Sequence, residues 1–193
     1  MILLTALLAG SIAGLGCALW QKRSWTPPVL RSLWLVLVAF LPQLFAIYLP
    51  FTRTHIPNGW ASAGLLISLT LLLAFCWLNR RVIAVWLLAL GLVLNFLVMA
   101  SNGGFMPISP QTASRLIPQE TVQAIPPGSR FGFGKDVLLK SSDTRLVLLS
   151  DRFLPPAGFS YQVAFSLGDV VIAIGAFWMM AFPKSSLNIK PIK

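Results

Sequence analysis

Residues Val82–Ala100 read VIAVWLLALGLVLNFLVMA, an apolar run without a charged side chain. A helix needs about 20 such residues to cross the ~30 Å hydrocarbon core of a bilayer. Four further runs approach that length, and they are Ile2–Trp20, Ser32–Leu49, Trp60–Leu78 and Val163–Phe182. Only the last run contains a charge, at Asp169. The sequence therefore predicts an all-α membrane protein, a bundle of five transmembrane helices.

The composition also indicates a membrane protein. Of the 193 residues, 56% are hydrophobic and 10% are charged, whereas soluble domains carry about 25% charged residues. The net charge of +10 does not indicate nucleic-acid binding, because the basic residues form short clusters between apolar runs rather than one patch on a soluble domain. We therefore expect the lipid bilayer as a partner, and no nucleic acid.

The distribution of basic residues predicts the orientation in the membrane. Eight basic residues and no acid follow helix 1, follow helix 3 or lie in the tail over 183–193: Lys22, Arg23, Arg31, Arg80, Arg81, Lys184, Lys190 and Lys193. Across the membrane lie Arg53 and the segment 101–162, which has six basic and four acidic residues. Cytoplasmic loops hold the excess of Lys and Arg, so we expect the N-terminus outside and the C-terminus inside the bacterial inner membrane. The first run has no basic residues before it, which favours a retained helix over a signal peptide.

The segment 101–162, between helices 4 and 5, is unlike a membrane span. It is rich in proline, but it has more Val, Leu and Phe than a disordered segment would carry. We expect it to form an extracytoplasmic cap, called the cap below. Ser109 followed by Pro110 predicts a short helix through about Ile117, since serine caps a helix and proline fits its first turn. A second short helix is expected from Pro118 through Ile125.

Later in the cap, two apolar runs over 136–139 and 145–149 predict a small hairpin on the membrane surface. Asp143, Arg145 and Asp151 add polar groups to this region. Two carboxylates with arginines nearby are able to perform acid/base chemistry. Solvated ion pairs are much commoner, and we favour that interpretation.

Asn102, Gly103 and Gly104 follow helix 4, and two interpretations of them are open. Glycine after a last helical turn supplies the left-handed conformation of a C-cap, which we favour. Alternatively, the glycines turn backbone N–H groups toward a bound polar group. Asn95 and Asn102 also give helix 4 a polar stripe, which we expect to face protein rather than lipid.

Ser166 and Asp169 lie at the start of helix 5. A charge at the centre of a membrane helix costs about 2.5–3.5 kcal/mol and less near the interface, so we expect Asp169 to have a partner. The favoured interpretation is a hydrogen-bond anchor to Asn102 or to the glycine turn. A ligand contact and a proton or cation site stay open. The candidate polar cluster or ligand contact consists of Asn95, Asn102, Gly103, Gly104, Asp143, Arg145, Asp151, Ser166 and Asp169.

Metal and cofactor motifs are not found in the sequence. Cys17 and Cys76 lie in apolar runs, and His55 is the single histidine. A zinc site or a Ser-His-Asp triad therefore has little to be built from. We predict no metal and no catalytic residue, and the sequence names no cofactor and carries no convincing nucleotide motif.

Three motifs together resemble a bacterial family of small multi-pass membrane proteins known only as a domain of unknown function. They are NGGxMP over Asn102–Pro107, DTRL over Asp143–Leu146 and SxGD over Ser166–Asp169. The resemblance covers about Leu94–Phe182, and the first three helices by hydropathy only. It implies a five-helix fold and a shared site on the outer face, and it implies no reaction.

Many packing faces and few catalytic groups favour a non-catalytic role, as a structural, binding or accessory subunit of a bacterial membrane complex. The polar cluster would hold the cap down or bind a hydrophobic ligand such as a lipid, a pigment or a quinone, or another membrane subunit. The alternative is a membrane enzyme or transporter that uses Asp169 and the carboxylates of the cap.

Overall fold

The computed structural model describes residues 2–49, 55–132, 134–156, 158–159 and 162–183. The chain is mostly helical, as predicted. Three helices are long and apolar enough to cross a membrane, namely α1 (Ile2–Trp20), α3 (Asn58–Leu78) and α4 (Ile83–Ser101). Two shorter apolar helices are α2 (Trp34–Gln43) and α7 (Leu167–Ala181). Of the tail predicted over 183–193, residues 184–193 lie outside the described residues.

The second apolar helix is shorter than the predicted run over 32–49. Pro42 lies inside α2, where it cannot donate a backbone hydrogen bond. A π-helical turn, Leu44–Tyr48, follows directly, as is typical where a helix is locally distorted. Gln43 Nε2 donates to Ser68 Oγ of α3 at 2.6 Å, which joins the distorted end of α2 to its neighbour.

Glycines allow the helix backbones to approach closely. A Cβ on Gly10 of α1 would lie 2.6 Å from the carbonyl oxygen of Phe177 in α7, and a Cβ on Gly175 of α7 would lie 2.9 Å from Leu87 Cβ in α4. Helix α7 thus packs against both α1 and α4, while α3 packs against α2 and α4. In lipid, close packing rather than hydrophobic burial drives helix association. The many large apolar side chains left exposed on these helices fit a lipid environment.

The cap folds around a three-stranded sheet in the order β1 (Met106–Ile108), β3 (Asp136–Leu138), β2 (Arg130–Phe131). Strands β1 and β3 are parallel, and β2 and β3 are antiparallel. Helices α5 (Pro110–Ala113) and α6 (Gln119–Ala124) lie between β1 and β2 in the chain. The cap has an apolar core of its own, made by Ile108, Ala113, Val122, Phe131 and Leu138.

Both short helices of the cap begin at or directly after the prolines that predict them, but α5 ends at Ala113 and not near Ile117. Ser109 is the N-cap of α5, since its Oγ accepts a hydrogen bond from the Thr112 N–H at 3.1 Å. The predicted hairpin over 136–139 and 145–149 is wrong, because β3 pairs with β1 and β2 and Val147–Leu149 forms a 3-10 helix. Leu146, with φ of 55°, turns the chain out of the extended conformation that a strand needs.

Candidate functional site

The start of α7 forms the centre of the site. Ser166 Oγ accepts a hydrogen bond from the Asp169 N–H at 3.0 Å, and Asp169 Oδ2 accepts one from the Ser166 N–H at 3.1 Å. This reciprocal pair is a capping box, which satisfies two N–H groups that a helix start leaves unpaired. It also holds the carboxylate at the positive end of the helix dipole, where a negative charge is stabilised.

Asn95 of α4 closes a ring with these two residues. Its Nδ2 donates to Asp169 Oδ1 at 2.8 Å, and its Oδ1 accepts from Ser166 Oγ at 2.8 Å. Asn95 and Ser166 are buried. We call these three residues the α4–α7 triangle. Both carboxylate oxygens of Asp169 accept hydrogen bonds within it, so the acid predicted to need a partner has two.

Two glycines permit the close approach of α4 and α7 at this point. A Cβ on Gly168 would overlap Asn95 Oδ1, and a Cβ on Gly91 would lie 2.5 Å from the Gly168 carbonyl oxygen. The helices therefore touch backbone to backbone beside the triangle. Glycine is the only residue that leaves room for this contact.

Lys135 connects the cap to the triangle. Its Nζ lies 2.7 Å from Asp151 Oδ2, 3.6 Å from Asp136 Oδ1 and 3.9 Å from Asp169 Oδ2. Asp151 is held by β1, since its N–H donates to the Pro107 carbonyl oxygen at 3.1 Å. One cation thus faces three carboxylates, which come from the cap sheet, from the segment after the 3-10 helix and from α7. We call these four ionisable residues the lysine cluster.

Burial and charge shift two pKa values in the lysine cluster. The side chain of Asp151 is 1% exposed, and this burial raises the pKa of Asp151 well above its usual range. The Asp136 and Asp169 carboxylates raise it further, and Lys135 opposes them. Burial lowers the pKa of Lys135, but the three carboxylates outweigh it and the net shift of the lysine pKa is upward. Burial thus acts against the ionised form of Asp151, whereas the three carboxylates favour the charged form of Lys135.

One oxygen of Asp151 lacks a hydrogen bond. Oδ1 is buried and has no hydrogen-bond partner among the described residues. Asp136 Oδ1 is likewise buried without a hydrogen-bond partner among the described residues, and Lys135 Nζ lies 3.6 Å from it. Buried polar atoms are normally satisfied, so the lysine cluster is the part of the site with spare hydrogen-bonding capacity.

The glycine turn at the end of α4 makes a separate structure. Gly103 has φ of 75°, and the Gly104 N–H donates to the Met99 carbonyl oxygen at 2.7 Å, which is the geometry of a Schellman C-cap. Asn102 Nδ2 donates to the Arg145 carbonyl oxygen at 2.8 Å, and Asn102 Oδ1 accepts from the Arg145 N–H at 2.9 Å. Because both backbone groups of Arg145 are taken, this residue is not available to a strand.

The nine predicted site residues fall into separate places. Four lie in the triangle or in the lysine cluster: Asn95, Asp151, Ser166 and Asp169. Asn102, Gly103 and Gly104 form the C-cap, where Arg145 takes part through its backbone. Asp143 is exposed, and its Oδ1 accepts a hydrogen bond from Ser142 Oγ at 3.0 Å. The structure therefore does not bring Asp143 to the lysine cluster.

Two expectations about contacts are corrected by this geometry. Asp169 is anchored to Asn95 and not to Asn102, because the amide of Asn102 is occupied by the backbone of Arg145. Asp151 is not part of a solvated ion pair, because β1 and Lys135 hold it in a buried position. Lys135 itself was missed, since nothing local in a glycine-rich stretch indicates that its side chain meets acids 16 and 34 positions later.

These features define the class of protein, a mostly helical chain with three helices able to cross a membrane and a folded cap attached to α4 and α7. The chain belongs to the family of unknown function DUF5317, whose model matches residues 28–181. The match contains α2 through α7, and with them the triangle and the lysine cluster, and it leaves α1 outside. No curated protein and no solved structure matches this chain.

Proposed function

We propose that this chain is a non-catalytic integral membrane protein, a structural, binding or accessory subunit of a bacterial membrane complex. One observation carries the proposal: Lys135 joins Asp151 of the cap to Asp169 of α7. Both oxygens of the Asp169 carboxylate also accept hydrogen bonds, from Asn95 and from the Ser166 N–H. Residues that are engaged with each other in this way fix the position of the cap, which then presents a stable surface on one side of the membrane.

The same proposal includes five membrane crossings with the cap on the outer side. The 15 residues of α7 extend over about 22 Å, less than the ~30 Å core, and a bilayer accommodates such a helix by local thinning. Helix α2 gains length from the π-helical turn after Gln43. Both short helices pack against helices of full length, which supports placing all five in the bilayer. The basic turn at Arg80 and Arg81 favours the cytoplasm for the end opposite the cap.

Cysteine labelling tests the orientation. Ser142→Cys lies at an exposed position of the cap, and Lys22→Cys lies at an exposed position after α1. In intact cells, a membrane-impermeant maleimide should label Ser142→Cys, and it should label Lys22→Cys only after permeabilisation. The reverse pattern would overturn the orientation.

Mass measurement of the full chain tests the role. The protein extracted in a mild detergent should carry a second subunit or a bound hydrophobic molecule at a fixed ratio. Deletion of the partner's gene should then reduce accumulation of this chain. A monomer that carries nothing and remains stable would contradict a subunit or binding role.

The second candidate function is a membrane enzyme or transporter, and the buried Asp151 favours it. Its unpaired Oδ1, its raised pKa and its contact with Lys135 are features of a group that binds and releases a proton. Asp151→Asn would then abolish transport or activity in a protein that still accumulates and folds. If Asp151→Asn and Asp169→Asn only reduce accumulation in proportion to lost stability, the structural role is favoured.

A further inference from the structure

A groove between α3 and α4 opens at the end of the bundle opposite the cap. It has a volume of about 190 Å³. Leu73, Val85 and Ala89 contribute apolar surface inside it, and Trp77 and Trp86 line it where the helices approach the turn that joins them. Arg80, in that turn, is also part of the lining. The groove therefore has a cation, Arg80, at one end, and its apolar part lies between two helices that are long enough to cross a membrane.

Arg80 is positioned by both helices. Its Nη1 donates to the Trp77 carbonyl oxygen at 3.1 Å, and its guanidinium carbon lies 4.8 Å from the centre of the Trp77 ring. The Arg80 carbonyl oxygen accepts from Trp86 Nε1 at 3.0 Å. A guanidinium group has five N–H donors in a fixed plane. Most of them make no contact with the described residues, and such donors match the geometry of a phosphate.

This end of the bundle is positive, without acids to compensate it. Arg80 and Arg81 are adjacent and exposed. Asn79 bonds to the backbone of Arg31, which brings the loop before α2 beside the same turn. All five acids of the sequence occur from Glu120 onward, in the cap or at the cap end of α7. The charged side chains of the described chain at this end of the groove are therefore all positive.

We propose that this groove binds an anionic phospholipid. The phosphate lies against Arg80 and Arg81, and one acyl chain follows Leu73, Val85 and Ala89. Tryptophans are typical of the level at which lipid headgroups lie, and basic residues near a membrane surface attract anionic lipids. A free phosphate would use the arginines but would leave the apolar groove empty, so the groove itself favours a lipid. The site lies at the other end of the bundle from the lysine cluster and does not depend on the proposed function.

Lipid retention by the full chain tests the charged part of the site. The protein is exchanged into mixed micelles with equal amounts of phosphatidylglycerol and phosphatidylcholine. Native mass spectrometry then identifies the lipids that stay bound and gives their ratio. Arg80→Gln combined with Arg81→Gln should lower the preference for phosphatidylglycerol by about fivefold per arginine, the equivalent of ~1 kcal/mol each. The matched control is Lys22→Gln with Arg23→Gln, a pair of equal charge at the same end of the bundle, which should change the preference little. Equal losses in both pairs would show diffuse attraction and overturn the site.

A second pair of variants tests the apolar part with every charge retained. Ala89→Phe fills the groove and should reduce retention of phosphatidylglycerol several-fold, while Leu90→Phe, on the exposed side of the same helix, should leave it unchanged. Unfolding temperatures measured without added lipid show that both variants are folded. Full retention by Ala89→Phe would overturn the proposal. So would displacement of the lipid by inorganic phosphate at the same concentration, because it would show a site for phosphate alone.

Discussion

At both ends of the helical bundle, an asparagine at the end of a helix joins that helix to the backbone of an arginine, and we call this arrangement the clamp. Asn79 ends α3 and Asn102 ends α4, and each donates to the carbonyl oxygen four residues earlier, at 2.9 Å and 2.7 Å. Each also pairs its amide with both backbone groups of an arginine. These are Arg31 for Asn79, at 2.6 Å and 2.9 Å, and Arg145 for Asn102, at 2.8 Å and 2.9 Å.

The difference between the two ends lies in the ionisable groups around the clamp. At the cap end, Lys135 lies against three carboxylates, whereas the turn that follows Asn79 carries Arg80 and Arg81 with no acid from the described chain. Because the clamp occurs at both ends, we interpret it as a structural feature. The lysine cluster occurs at the cap end only, so variants of this cluster test the role of the cap.

Among the variants that compare the two ends, Lys135→Ala should cause the largest loss of stability. It leaves Asp151 buried without its cation, and breaking a buried ion pair from one side costs about 3–5 kcal/mol. We expect the lower part of that range, since the lysine side chain is 32% exposed. Unfolding in denaturant, with cleavage of the cap by protease as a second probe, measures the loss.

The matched control removes both charges. Lys135→Met combined with Asp151→Leu should recover most of the stability, because replacing a buried pair by apolar side chains of similar volume is often neutral or stabilising. A double variant as unstable as Lys135→Ala would show that packing of the lysine stem, rather than charge, secures the cap.

Removing each asparagine should produce the next largest effects. Asn79 is 4% exposed, so Asn79→Ala removes a buried hydrogen bond to the Phe75 carbonyl oxygen and two part-buried ones to the backbone of Arg31, and it should cost about 2–3 kcal/mol. Asn102 is half-buried and bonds an exposed residue, so water is able to replace its amide and Asn102→Ala should cost about 1 kcal/mol. Thermal unfolding of the two variants in one detergent compares them. A larger loss for Asn102→Ala would mean that the cap end depends on its clamp more than burial predicts.

The pH dependence of stability should reflect Asp151. Its raised pKa means that the folded protein binds this proton more tightly than the unfolded chain does. Its contribution to stability is complete below the unfolded pKa of about 3.9, and it is lost as the pH rises through the folded pKa. The groups that face it are Lys135, Asp136 and Asp169. The raised pKa of Lys135 has the same sign, since its contribution is lost only above the unfolded pKa of about 10.4.

Asp151→Asn tests this pH dependence. Between acid and neutral pH the unfolding temperature of the wild type should fall relative to that of the variant, whose side chain does not titrate. One proton changes the free energy of unfolding by at most about 1.4 kcal/mol per pH unit. Parallel curves would show that the pKa of Asp151 is not shifted in the fold, and a rise of the wild type relative to the variant would show a lowered pKa, as in a simple ion pair with Lys135.

Features encoded by neighbouring residues could be predicted from the sequence. The first apolar run and α1 have the same bounds, Ile2–Trp20, because length and hydropathy are local properties. Asp169 stands out in the sequence as the only charged residue within an apolar run, whereas its capping box with Ser166 is a finding of the structure. Helix α7 nevertheless begins at Leu167 rather than Val163, since Phe165 pairs with Phe153 in a bridge that no local pattern indicates.

The hydrogen bonds and ion pairs that join the parts of the site could not be predicted, because they depend on how the cap folds back. Asn95 and Asp169 are 74 positions apart, and Lys135 and Asp151 are 16 apart. The parallel pairing of β1 with β3 places the cap sheet over the end of α4, and it is this pairing that brings Lys135 to the acids. A sequence pattern identifies acids that need a partner, but the partner is chosen by tertiary structure.

Asp143→Asn should have the smallest effect on stability, because this residue lies on the surface of the cap and not in the site. Asp143 is exposed, and its hydrogen bond comes from the adjacent Ser142. An exposed substitution away from buried features changes stability by less than about 0.5 kcal/mol, so its unfolding temperature should match that of the wild type. Asp151→Asn, which makes the same chemical change in the same cap, serves as the buried comparison. If Asp143→Asn leaves stability unchanged but weakens the association with a partner subunit, the DTRL loop belongs to the surface that the clamped cap presents.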